Sequence, residues 1–401
     1  MDLQKLIRNA AAIRLRQKLQ SEGAAGDKIF PPTYSGGTYC WEQRRIDERS
    51  VPCVLLDSVA AQANRFEEAL ADATVQGLEL PRFVVGFDGD LADVGEISTL
   101  AAPHRVFDAI LRDSVLNGTP FFKTPIYKAL SAANVRNATE LFARSPAALL
   151  FGCWDSTGAA GGLGNKFARA ITSEIIGINA EWGATQGGVR QDPLGISAEV
   201  EIAVGDDGDW SLVGKSSTGK KDRAKGTRPS EINHGSVLVK VEHGDWERVI
   251  DGQKISQKLP LKGGVTVDYA LQISVLSLTA LRRLRFPVGG NVGETADRAA
   301  QAVLAALGLV AITLRREQGY WLRSRCALVA EGRQDLEIVY ADGSTEAWAL
   351  DSAGALALYQ QAVAEAKAAG LPWYGEPVKL VPQQKLIELV RKSREVQSIG
   401  G

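Results

Sequence analysis

The chain has 401 residues, enough for two or three average domains or one domain with large insertions. Hydrophobic residues make up 45% and charged residues 23%, the balance of an ordinary soluble globular protein. The net charge of −1 excludes a protein that coats itself indiscriminately in nucleic acid, while local clusters of Lys and Arg remain open to a specific groove.

Residues 3–20 place Leu3, Leu6, Ile7, Ile13 and Leu19 among Lys and Arg at helical spacing, which predicts a helix ended by Gly23, Gly26, Pro31 and Pro32. Charges run through Met1 to Gln20, so a secretory signal is not expected. A loop from Thr33 to Arg49 follows. Val54-Leu55-Leu56 then predicts a short buried strand and Asp57-Ser58 a helix cap. Val59, Ala63, Phe66, Leu70 and Ala73 form one apolar stripe behind that cap, completing a β-turn-α unit. Arg82 to Gly89 is expected to be a strand, His104 to Val115 an amphipathic helix, and Ala147 to Trp154 a fully apolar strand. The glycine cluster Gly158, Gly161, Gly162 and Gly164 leads to Lys166 and Arg169, and a strand is expected from Ile171 to about Ala180.

Alternation predicts strands near 196–204, 210–213 and 237–241. Between them, residues 214–236 show no periodicity, and a structureless loop of that length is usually functional or disordered. Later elements are a strand over 265–278 entering the Arg-rich run Arg282 to Arg285, an Ala-rich helix over 294–307 closed by Gly308, strands at 321–329 and 336–340, and a helix over 351–369.

Gly214-Lys215-Ser216 is not a phosphate-binding P-loop, because position 209 is Asp where that motif needs Gly. The loop does carry Lys215, Lys220, Lys221, Arg223, Lys225 and Arg228 against the single acid Asp222. Such a cation cluster suits a phosphate backbone, the more so at the tip of a hairpin where it can reach out; the other reading is a solvated surface loop. The glycine cluster before Lys166 can let backbone N–H groups approach phosphates, or can simply connect two strands tightly. Trp321, Arg323 and Arg325 form either a stacking and charge platform for bases or the solvent face of an edge strand. The histidines His104, His234 and His243 lack metal-ligand spacing, no nucleophile motif occurs, and Cys40, Cys53, Cys153 and Cys326 are far apart, as expected of reduced, packed cytosolic thiols.

Five blocks together resemble the backbone subunit of type I-G (formerly I-U) CRISPR Cascade, of the RAMP superfamily. They are Leu55 to Leu70 (LLDSVAAQANRFEEAL), Pro103-His104-Arg105, Leu150 to Ser156 (LFGCWDS), Lys166 to Ile175 (KFARAITSEI) and Arg228 to Gly235 (RPSEINHG), spread over roughly residues 50–290. The resemblance implies an α+β fold: a ferredoxin-like (RRM-like) palm at 51–195 and 242–350 with inserted finger elements, and a β-hairpin thumb at 196–241. An N-terminal helix and loop (1–50) and a C-terminal helical extension (351–401) would flank it.

The resemblance also implies a non-catalytic subunit that oligomerises along CRISPR RNA and presents it for pairing with target DNA, so that pairing reads sequence and protein reads backbone. Its partners would be CRISPR RNA, target DNA through the guide, further copies of itself, the large subunit, the RNA-processing or capping subunit and a recruited nuclease-helicase. No cofactor, metal or membrane is expected, and the location would be cytoplasmic. RNA contacts would fall on Ser58, Gln62, Asn64 and Arg65 at the start of the first palm helix, where N–H groups can meet phosphate. For Asn64 and Arg65, helix-surface packing is the other reading. Further contacts would come from His104 and Arg105, from Lys166 and Arg169, and from Lys215, Lys220, Lys221, Arg223, Lys225, Arg228 and His234. The competing expectations are a metal-dependent ribonuclease using Asp155 or Asp222, and a protein-only scaffold.

Overall fold

The structure is a computed structural model, and it describes residues 2–156, 166–183, 188–205, 209–213, 227–239, 243–250, 253–260 and 263–400. It is mixed α+β and divides into two units. The larger comprises residues 1–27, 41–180 and 267–401; the smaller comprises 28–40 and 181–266.

The larger unit is built on a nine-stranded antiparallel sheet. A short helix α1 (Leu3–Asn9) runs directly into strand β1 (Ala10–Ser21), so the helix expected over residues 3–20 is a strand for most of its length. The reason lies in Ile13-Arg14-Leu15-Arg16-Gln17-Lys18-Leu19. These residues alternate with period two, which sends Ile13, Leu15, Gln17 and Leu19 to one buried face and Arg14, Arg16 and Lys18 to the other. β2 (Trp41–Ile46) and β3 (Arg49–Asp57) form a hairpin, and Ser58 caps α2 (Val59–Val75) by accepting from the Ala61 N–H at 3.2 Å.

The chain returns in β4 (Ile171–Ile178) and β5 (Tyr269–Ser277), and then in the 24-residue helix α3 (Glu294–Glu317). A hairpin, β6 (Tyr320–Arg323) and β7 (Cys326–Ala330), precedes a second, β8 (Leu336–Tyr340) and β9 (Thr345–Trp348), and helix α4 (Ser352–Ala368). The strand order is β2-β3-β4-β5-β1-β7-β6, with β8 also paired to β1 and β9 to β8. Within it, β1-α2-β4-β5-α3-β8 follow the ferredoxin-like β-α-β-β-α-β succession, and their strands lie in the order β4-β5-β1-β8 that this fold requires. α2 and α3 pack on each other and on the sheet, so they cover one face.

α3 passes through Gly308 where a stop was expected. A Cβ there would stand 3.0 Å from Leu276 Cδ1 and 3.4 Å from Leu150 Cδ1. The glycine is thus used for close approach to β5, not for a C-cap. α3 is apolar and long enough to cross a membrane by composition, and 89% of its apolar window is buried inside the protein as the core helix.

Of the strand expected over Ala147 to Trp154, residues 147–151 belong instead to the buried helix Pro146–Phe151, and only Cys153–Trp154 is extended. The expected helix from His104 breaks into a 3-10 turn (Arg105–Phe107), a single α-turn (Ala109–Arg112) and a strand (Ser114–Leu116). That strand belongs to a second, five-stranded sheet whose centre is Val378–Pro382, parallel to Phe83–Gly86 and antiparallel to Ser114–Leu116. The C-terminal region is therefore woven into the larger unit. Helix α5 (Gln384–Gly400) adds the ion pairs Arg391–Asp90 at 2.7 Å and Arg394–Asp93 at 2.8 Å.

The smaller unit consists of paired short strands. Glu181–Trp182 pairs with Val265–Thr266, Gly188–Arg190 with Val237–Val239, and Ile202–Val204 with Trp210–Leu212. The strand expected from about 196 begins only at Ile202. A longer hairpin, His243–Ile250 with Gln253–Pro260, completes the unit.

Candidate nucleic-acid interface

In a β-sheet, residues directly opposite one another on neighbouring strands share a face. On β1, Arg14, Arg16 and Lys18 lie opposite Val275, Ile273 and Leu271 of β5, and these lie opposite Thr172, Glu174 and Ile176 of β4. The same face continues through Leu55 and Cys53 on β3 to Glu42 and Arg44 on β2. It is the face away from α2 and α3. Cys53, Ile176, Ile178 and Leu271 form a small apolar cluster on it, and burial pushes the Cys53 thiol up.

The charges on this face are unequally committed. Arg14 donates to Glu337 at 2.6 Å, and Arg44 is held between Glu42 and Glu174, donating to Glu174 Oε2 at 2.9 Å. The Glu174 hydrogen bond is the first cause of a raised Arg44 pKa, so that ion pair is locked. Arg16 and Lys18 are exposed. Lys18 Nζ sits 4.6 Å from the centre of the Tyr269 ring, and Arg16 makes no ion pair or hydrogen bond among the described residues. Two uncompensated cations, an aromatic ring and the half-buried Ile273 and Val275 thus share one solvent-facing strip, chemistry that suits phosphates and base faces together.

The other face holds a buried polar network in which several residues expected at the interface are engaged. Gln62 is fully buried. It donates to Asp57 Oδ2 at 2.7 Å and accepts from Ser173 at 2.8 Å and from Gln272 at 3.0 Å. Tyr320 donates to Gln272 at 3.0 Å, and burial pushes its phenol up to about 12, so it remains a donor. Arg65 donates to Asp57 at 2.9 Å and to the Leu322 carbonyl at 2.8 Å, while Arg323 donates to the Leu56 carbonyl at 2.9 Å and lies 3.5 Å from Asp57. β6 and β3 stand near opposite ends of the strand order, yet Arg323 reaches the end of β3, where it meets Leu56 and Asp57.

Arg105, at φ +53°, makes a bidentate pair with Glu67 at 2.6 and 2.8 Å and donates to the Gly152 carbonyl at 3.0 Å. Burial pushes the Glu67 carboxyl up, against the pull of Arg105. Ser58 spends its hydroxyl on the α2 cap. Asn64 and His104 are exposed, and the His104 N–H is held by Asp108 at 2.9 Å. Lys166 is exposed with Nζ 5.5 Å from the Trp154 ring centre, and Arg169 is exposed with its Nε 3.3 Å from the Phe151 carbonyl. In the smaller unit Arg228 is exposed, and His234 packs edge-on against Trp210 at 5.8 Å. Lys215, Lys220, Lys221, Arg223, Lys225 and Asp222 lie outside the described residues, as do Gly158 to Gly164.

Trp321 is 67% exposed on β6, but Arg323 turns to Asp57 and Arg325 lies in the β6–β7 turn at φ +59°, so the three do not form one platform. Asp155 is buried and accepts from Ser131 at 3.0 Å. No group of three or more His, Cys, Asp or Glu side chains converges as metal ligands among the described residues. The Arg16 and Lys18 strip was missed because β1 was read as a helix. Its signal was the strict alternation from Ile13 to Leu19.

Residues 13–182 match the family model described as CRISPR-associated protein GSU0053 (Cas_GSU0053). The match spans β1 to β4 of the larger unit and supports a role for the chain in a CRISPR system. No curated protein matches the chain.

Proposed function

We propose that this chain is a non-catalytic CRISPR RNA-binding backbone subunit. It oligomerises along the guide in a type I-G Cascade and presents the guide for pairing with target DNA, acting with a large subunit, an RNA-processing subunit and a recruited nuclease-helicase. The observation that carries the reading is the CRISPR-associated match, over a segment whose first strand bears the uncompensated Arg16 and Lys18 on the open face of an RRM-like sheet. Such a face favours phosphates through charge and bases through contact area, with no need for a catalytic group. Lys215, Lys220, Lys221, Arg223, Lys225 and Arg228 add, in sequence, a second concentration of positive charge.

The test is co-expression with a CRISPR array and the companion subunits, followed by sizing chromatography with absorbance at 260 and 280 nm and sequencing of extracted RNA. A large particle carrying one discrete guide is the expected result; a nucleic-acid-free monomer refutes the reading. Arg16→Glu with Lys18→Glu should strip RNA from the particle while leaving the melting temperature near that of wild type, since both residues are exposed. Separately, Ala at Lys220, Lys221, Arg223 and Lys225 should weaken retention and flatten its log–log salt slope by roughly 0.7 per lost phosphate contact on a single strand. An unchanged slope would remove that loop from the interface.

A further inference from the structure

Two glycines bound the β6–β7 hairpin. Gly319 at φ +82° precedes it and Gly332 at φ +69° follows it. A Cβ added at either would meet nothing within 4 Å, so both serve backbone conformation and not close packing. Hinges lie at such element-terminal positions, where a few residues absorb a change of φ and ψ. Between the glycines, Tyr320, Leu322, Cys326 and Leu328 are buried, yet all four lie outside the main apolar core cluster. The ties from the hairpin to α2 and β3 are polar. Arg65 donates to the Leu322 carbonyl at 2.8 Å, Arg323 donates to the Leu56 carbonyl at 2.9 Å, and both guanidiniums reach Asp57.

At the root of the hairpin stands Arg315, in the last turn of α3. It is 6% exposed, donates to the Gly319 carbonyl and lies 5.8 Å from the centre of the Tyr320 ring. Its Nε and Nη2 are buried without a hydrogen-bond partner. Burial, and then the charge of Arg65, lower its pKa; the acids that oppose them are the buried Asp57 and the exposed Glu68 and Glu317-side surface is not among them. A guanidinium stays charged at any working pH, so an uncompensated one in the interior opposes the closed hairpin, and opening returns it to water.

We propose that the β6–β7 hairpin is a strap, hinged at Gly319 and Gly332, that closes over an anion site formed by Arg65, Arg315 and Arg323. Open, the three guanidiniums present themselves to a multiply charged phosphate, for which paired Arg forks are the preferred ligands. Opening is local, because the ties are polar and the buried side chains of the hairpin stand apart from the main core. An anion that binds only the open strap raises its population. The strap is independent of the RNA-binding reading.

Cys326 is a built-in reporter: it is fully buried in β7, whereas Cys153 is buried in the main core. The full-length protein is treated with iodoacetamide, and alkylation of each cysteine-containing peptide is followed by mass spectrometry in a series of low urea concentrations. Cys326 should be labelled faster than Cys153 and with a weaker dependence on urea, since local opening exposes less surface than global unfolding. Arg315→Met keeps the volume and removes the charge, and should slow Cys326 labelling about tenfold or more. Sodium tripolyphosphate should speed Cys326 labelling severalfold over sodium chloride of equal ionic strength, and Arg315→Met should lose that response. Equal rates for Cys326 and Cys153 with the same urea dependence overturn the strap. A Cys326 rate that either Arg315→Met or tripolyphosphate leaves unchanged overturns the guanidinium site beneath it.

Discussion

Asp57 is fully buried at the end of β3, and two guanidiniums from distant parts of the chain converge on it. Removing one partner of such a buried pair leaves uncompensated charge in the interior, which typically costs about 3–5 kcal/mol. Asp57→Ala is therefore expected to lower the free energy of urea unfolding by that order, and Arg105→Ala, which strands Glu67, by a similar amount. Neither loss should track RNA affinity once the folded fraction is corrected for. Arg16 and Lys18 should behave in the opposite way, with large effects on RNA and changes within about 0.5 kcal/mol in stability. This contrast marks what could be read from the residues and what could not. Ser58 was legible as a cap because its partner is three residues away. Gln62, Arg65 and Arg105 were expected at the interface through the resemblance; that Ser173, the Leu322 carbonyl and Glu67 engage them was not legible, because these partners are remote in sequence and adjacent only in the fold.

Among the elements, β3-α2, β4, β8 and α4 were legible because each shows one clean period bounded by a cap or a break. β1 was not, because the helical spacing of Leu3, Leu6 and Ile7 runs straight into the alternation that begins at Ile13. The helix Pro146–Phe151 is buried on all sides, so it has no polar face to reveal its period. The hairpin of the smaller unit did have a signal: Ile250 pairs with Gln253, and the intervening Asp251-Gly252 is a favoured two-residue turn sequence. α3 continues beyond Gly308 because packing against Leu276 overrides the helix-ending tendency of glycine. Gly308→Val should for that reason destabilise the protein by about 1–3 kcal/mol through overpacking, despite the better helix former, with the urea midpoint falling and the m-value unchanged.

At the scale of the whole molecule, fold class was the most legible property, since alternating and helical segments succeed one another as an α+β palm requires. The extent of the smaller unit was less so, because its strands are mostly two or three residues long and carry little periodicity. That unit interrupts the β4–β5 hairpin: Ile178 pairs with Tyr269, yet the chain between them makes an excursion through residues 181–266. Loop closure costs about 0.6 kcal/mol for each doubling of length, so this excursion raises the entropic barrier to pairing β4 with β5 by roughly 2–3 kcal/mol over a tight turn. The smaller unit contains its own remedy. Its first and last strands, Glu181–Trp182 and Val265–Thr266, are paired; Tyr39 stacks on Trp182 at 5.7 Å and accepts from the Gly264 N–H at 3.1 Å. Once that neck has formed, the two ends of the excursion are already neighbours, and the central hairpin closes as if its connection were short. The neck is then a kinetic element, and Trp182→Gly should slow refolding by about fivefold for each kcal/mol it removes while leaving the unfolding rate nearly unchanged. The topology thus predicts an order of assembly in which the inserted unit closes first and the sheet that carries Arg16 and Lys18 zips up behind it.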